Sequence, residues 1–166
     1  FLADGESSRD NVADIDKLIQ KRKNNAKNAL KVLGCNSANF LDLPDNRLDS
    51  VDLLDVVKKI ESLLEEIKPE KVITHYAHDL NIDHQITHNA VVTACRPFPG
   101  ECVKELLFFE VPSSTEWGLS KAFQPNYFVD ISDTMHLKME ALAYYSEELK
   151  PFPHPRSIKA IKSLAN

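Results

Sequence analysis

Apolar residues recur at three- and four-residue steps between Asp14 and Leu33: Ile15, Leu18, Ile19, Ala26, Ala29, Leu30 and Leu33 line one face of an amphipathic helix, with Gly34 as its C-terminal stop. The same period returns in Leu53, Leu54, Val57, Ile60, Leu64 and Ile67. This second helix is expected to open at a cap on Asp49 or Ser50 and to end at Lys68-Pro69. Other stretches carry the short, β-branched or aromatic runs of strands. Positions 71–75 (KVITH) and 103–111 (VKELLFFEV) are the clearest, and 39–43 (NFLDL) and 127–131 (YFVDI) are two shorter candidates. Asp83 is placed to cap a third helix reaching about Cys95. Ser132 is placed to cap a fourth, whose core face is Met135, Met139, Leu142, Tyr145 and Leu149, and a short last helix is expected over 157–164. The opening Phe1-Leu2-Ala3 reads as a strand without its beginning, running into an Asp4-Gly5 turn. Strands alternating with helices at these lengths predict βαβ units, an α/β fold and a mostly parallel sheet with right-handed crossovers.

Composition narrows the class. The 166 residues are 43% hydrophobic and 27% charged, which is the profile of one ordinary globular domain over 1–166. A chain of this length buries roughly two thirds of its unfolded surface, so it needs no covalent staple. The net charge of -5 is spread without a basic cluster, which argues against nucleic acid as a partner. Cys35, Cys95 and Cys102 form no Cys-x-x-Cys pair, so a reducing, cytoplasmic setting is expected. No apolar run approaches a membrane span, and no signal-peptide pattern opens the chain.

The chemistry concentrates where the 71–75 strand ends. His75, His78, His84 and His88 crowd into one loop and the first turns of the following helix, together with Asp79 and Asp83. In open α/β sheets that edge is where ligands bind, and a mixture of imidazoles and carboxylates suits a transition metal, most plausibly zinc. His84 and His88 share a helix face. Taken singly, each histidine is more often a surface or hydrogen-bonded core residue; the clustering raises their interest. Two further constellations stand out. Asp4-Gly5-Glu6-Ser7-Ser8-Arg9 forms a βα loop able to hold a hydroxylated or anionic ligand, or simply to connect two elements. Pro112 to Trp117 (PSSTEW) sets Glu116 beside Trp117, the only tryptophan, as aromatic rings and carboxylates stand in sugar sites; Trp117 equally suits an edge of the core.

Together, 1–9 (FLADGESSR), the helix ending in Val32-Leu33-Gly34, 79–85 (DLNIDHQ), 112–117, 123–132 and 153–157 (PHPRS) resemble the PIG-L or LmbE-like family of zinc-dependent de-N-acetylases of N-acetylglucosaminyl conjugates. The resemblance implies a Rossmann-like, three-layer fold and metal-assisted amide hydrolysis. It implies zinc on His84, an orienting role for Asp83, and Asn81 where relatives often carry an oxyanion-assisting histidine, with His78 as the substitute. Asp4, Arg9, Arg22, Glu116 and Trp117 become the substrate-side candidates, although a solvated helix face also suits Arg22. The expected partner is an amino sugar or glycoconjugate, with assembly of further copies left open.

The family's Ala-His-Pro-Asp-Asp-Glu motif, with two further metal ligands and the general base, is not in the sequence. The resemblance places it before Phe1, and places one more strand after Asn166, so that 1–166 is expected to be a truncated deacetylase domain. The competing expectations are a non-catalytic carbohydrate-binding relative or inactive fragment and, more remotely, a nucleotide-binding α/β module.

Overall fold

The computed structural model describes residues 1–10, 13–35, 37–100 and 102–165. By internal contact the chain divides into two compact units, Phe1–Asp45 with Gln124–Asn166, and Asn46–Phe123.

In the unit made from both ends of the chain, helix α1 (Ile15–Val32) begins at Asp14, whose carboxylate accepts the Lys17 amide. Its small residues Ala26 and Ala29 are the buried ones, and α1 packs on α4 (Met135–Ala143), which buries Ala141. Leu33, expected on the core face, is half exposed. Helix α5 (Ile158–Leu164) starts from Ser157, whose hydroxyl accepts the Ala160 amide. The expected strands at 1–3 and 39–43 reduce to a single parallel bridge, Ala3 to Leu43, because Asp42 takes a positive φ of 51° and breaks the extended backbone. The 127–131 segment is not a strand either. Tyr127, Phe128 and Val129 are exposed, and the segment lies outside the β1–β2 sheet. Nor does Ser132 cap α4: it opens a 3-10 turn (Ser132–Thr134), and its own amide and hydroxyl donate to Asp130.

The other unit is a βα assembly. A 3-10 turn (Leu48–Ser50) precedes α2 (Leu53–Ile67), so the helix starts after Asp52 rather than at Asp49 or Ser50. Its buried line is Val56, Val57 and Ile60, whereas Leu53, Leu54 and Ile67 face outward. Lys68 ends the helix in the left-handed region at φ 49°, and Pro69 cannot continue it. Strand β1 (Lys71–His75) then pairs in parallel with β2 (Glu105–Phe109), Lys71 opposite Glu105 and His75 opposite Phe109. Helix α3 (Ile82–Ala94) crosses between them and packs on both β1 and α2, burying Ala90, Val91 and Ala94. The expected β-α-β unit is therefore present, with β2 shorter than the 103–111 run. Among the described residues no helix is long and apolar enough to cross a membrane.

Candidate functional site

The C-terminal end of β1 delivers His75, and a six-residue loop leads from it to α3. The start of α3 is set by Asn81, not by Asp83. The Asn81 side-chain oxygen accepts the amides of Asp83 and His84, at 2.8 and 3.4 Å, and its amide group donates to Asn46 Oδ1 at 3.0 Å. Asp83 lies one step into the helix, where its charge suits the positive end of the helix dipole. It is buried, and its two oxygens accept the backbone amides of Asn46 (2.7 Å) and Leu48 (2.9 Å). The expected capping role of Asp83 is thus corrected: its carboxylate pins the loop before α2 to the first turn of α3.

The centre of the cluster is Asp79, only 1% exposed. It accepts hydroxyls from Ser114 and from Thr115 (2.6 Å), the Asn81 amide (2.9 Å) and the Nδ1 edge of His84 (3.0 Å). Burial alone would raise its carboxyl pKa; the hydrogen bonds from Ser114, Thr115 and Asn81, with the charge of His84, outweigh that and hold it below the ordinary value. An ionised Asp79 only accepts. In its neutral form His84 would therefore carry its proton on Nδ1 and present Nε2 as a lone pair, the arrangement by which a carboxylate prepares an imidazole to bind a metal.

His75 lies face to face with His84, ring centroids 4.2 Å apart and 20° from parallel, and touches Phe109 at 4.7 Å on its strand partner. Its pKa is pushed down to about 4 by burial, with His84 and His88 reinforcing the effect and Asp79 opposing it, so at neutral pH the ring is uncharged. The His75 carbonyl accepts a hydrogen bond from His88 Nδ1 at 2.9 Å.

His78 lies on the same loop. Its ring meets Tyr76 edge-on at 5.5 Å, and Ser120 Oγ stands 3.4 Å from Nδ1. Segment 118–123 lies across this part of the loop: the Tyr76 hydroxyl donates to the Ala122 carbonyl and its ring meets Phe123. Gly118 makes that approach feasible, since a Cβ there would stand 2.2 Å from the His78 carbonyl oxygen. Trp117, 45% exposed, closes a 3-10 turn (Thr115–Trp117), and Glu116 folds back to accept the amides of Ser113 and Ser114.

The remaining expected residues belong to the other unit. Asp4 Oδ1 accepts the amides of Glu6 and Ser7 and so shapes the turn at Gly5, which has φ 76°. Arg9 and Arg22 both pair with Glu6 and with Glu148, and Arg22 also lies over the Tyr145 ring. The sequence reading did not assign a role to Asp79 or to the Ser114-Thr115 pair that holds it. The signal available was the only carboxylate between the end of β1 and the Asn81 cap, inside the very run that carries the family resemblance.

A zinc ion would find one prepared ligand in His84 with its supporting carboxylate. Among the described residues no three His, Cys, Asp or Glu side chains converge to complete a site.

A parallel βα unit with a carboxylate-backed histidine following the strand's C-terminal edge defines an α/β protein with its clustered histidines on and beside the β1–α3 loop. The chain belongs to the PIG-L family, described as GlcNAc-PI de-N-acetylase, which matches residues 1–95. It is 27% identical to the uncharacterized deacetylase YaiS of Escherichia coli over 80% of this chain and 64% of that one. It is also 27% identical to a probable N-acetyl-alpha-D-glucosaminyl L-malate deacetylase 2 of Bacillus cereus, over 76% of this chain and 57% of that one. The chain thus spans about 60% of the length of these relatives. Its fold is that of N,N'-diacetylchitobiose deacetylase from Pyrococcus horikoshii, with a TM-score of 0.65 at 18% identity over 90% of this chain and 58% of the other.

Proposed function

We propose that the protein carrying this chain is a zinc-dependent hydrolase that removes the N-acetyl group from an N-acetylated amino sugar or its conjugate. The observation that carries the reading is the Asp79–His84 pair: a buried, multiply bonded carboxylate that fixes the tautomer of an imidazole at the ligand-binding edge, in a chain whose relatives are named as deacetylases of N-acetylglucosaminyl and chitobiose substrates. His84 would hold zinc through Nε2. Zinc, when bound, supplies a water acidified to about pKa 7 and a Lewis acid for the amide carbonyl.

The chain's own residues then orient and bind. Asp79 holds His84, while Ser114 and Thr115 hold Asp79. His78, on the same loop, is the donor we assign to the oxyanion. Trp117, partly exposed, is the aromatic residue we assign to packing against a pyranose. Asp4 and Glu116 accept the amides of their own turns, and Arg9 and Arg22 pair with Glu6 and Glu148, so in this reading they shape the loops rather than meet the sugar.

The test is acetate release from N-acetylglucosamine, its malate conjugate and N,N'-diacetylchitobiose by the full-length protein, with metal content measured in parallel. His84→Ala is expected to lose bound zinc and at least about a hundredfold of activity. A wild-type protein that binds these sugars without releasing acetate would instead establish the non-catalytic alternative.

A further inference from the structure

His75 and His84 are in face-to-face contact. A hydrogen bond to Asp79 restrains His84 at a single ring atom, Nδ1, and leaves a swing of the ring plane about that atom and the Cβ tether. What limits the swing is a surface against its face, and His75 is that surface, 4.2 Å away and nearly parallel. His75 is itself held on three sides. Its backbone is in register with Phe109, the following amide of Tyr76 donates to the Phe109 carbonyl at 3.2 Å, and the Phe109 ring backs its imidazole at 4.7 Å. Its carbonyl also receives His88 Nδ1, one helical turn beyond His84 on α3. The last residue of β1 therefore touches both histidines of α3, one through its ring and one through its backbone.

We propose that His75 is a positioning residue for His84: by stacking on the imidazole it fixes the ring plane in which Nε2 is presented. The proposal rests on His84 being the metal-holding imidazole. The interaction is a flat-ring contact, so a phenyl ring of similar shape can replace it, whereas a methyl group cannot.

The test compares wild type, His75→Ala and His75→Phe in the full-length protein, with His84→Ala used to assign the imidazole resonances. In metal-free protein, the ring protons of wild-type His84 should be shifted upfield by the neighbouring ring and should report one Nδ1-protonated tautomer. His75→Ala should lose the upfield shift and broaden the signals, and His75→Phe should retain both features. Zinc titration should show about 10- to 100-fold weaker binding for His75→Ala and near wild-type binding for His75→Phe. Unchanged His84 resonances and zinc affinity in His75→Ala would overturn the proposal, as would a folded His75→Phe that binds zinc as weakly as His75→Ala. Retention of zinc and acetate release by His84→Ala would strike the functional reading instead, and the metal-free spectra would still decide whether His75 orients the His84 ring.

Discussion

At the scale of single residues, Asp79 draws its importance from what surrounds it: Ser114 and Thr115 lie some 35 positions away and reach it only through the fold, so residue type, which marks the clustered histidines, does not mark it. A buried carboxylate with four donors is expensive to remove, since each donor is left without a partner. Asp79→Ala should therefore destabilise the protein by about 3 kcal/mol, read from urea unfolding. Asp79→Asn, which keeps the shape, should cost less but disturb the His84 tautomer. Gly118 makes a sharper case, because no polar chemistry is involved. With the His78 carbonyl oxygen 2.2 Å from where a Cβ would sit, Gly118→Ala must displace backbone. A loss of about 1–3 kcal/mol is expected, and a variant as stable as wild type would show that segment 118–123 does not lie against the loop.

Among the elements, those built from local information were legible. Helices α1 and α3, and strand β1, follow from residues within one or two turns of one another, and the sequence pattern places them within about two residues of their observed bounds. The failures were non-local. Residues 39–43 do run beside 1–4, with the Leu41 and Leu43 amides donating to Phe1 and Leu2, but the left-handed backbone of Asp42 limits the pairing to one bridge. Residues 127–131 have the composition of a strand, yet a strand forms only where it joins a sheet, and no periodicity reports that. Residue-level competition explains the shifted helix starts. At α3 both Asn81 and Asp83 are capable caps. Asn81 wins because Asp83 is drawn to the amides of Asn46 and Leu48. Asn81→Ala should cost about 1 kcal/mol through loss of the cap, with Asn81→Ser recovering most of it. Asp83→Ala, by contrast, should leave the helix start intact and loosen the 46–48 backbone, seen as faster amide hydrogen exchange at Asn46 and Leu48.

For the molecule as a whole, the unit that contains both ends of the chain is fastened by a charge network that no local pattern foretells. Glu148 accepts from Arg9, Arg22 and Arg156, and the first of these contacts joins residues 139 positions apart. Burial alone would raise the Glu148 carboxyl pKa, but the hydrogen bond from Arg22 and the charges of Arg22, Arg9 and Arg156 outweigh it and hold the value below that of an ordinary glutamate. A folded-state pKa below the unfolded one means that the unfolded chain binds the proton more readily. The stabilisation is then complete above the ordinary glutamate value, and it is lost as the pH falls through the folded value. Replacing the charge by Glu148→Gln should lower stability at pH 7 by about 1–2 kcal/mol. The gap between variant and wild type should close as the pH is lowered below about 4, where the native glutamate is itself protonated in the unfolded chain and increasingly in the folded one. Urea unfolding of the two proteins from pH 7 to pH 3 measures this directly. Parallel curves, with the same difference at every pH, would mean that Glu148 contributes shape and not charge, and that the three arginines are held by something other than its carboxylate.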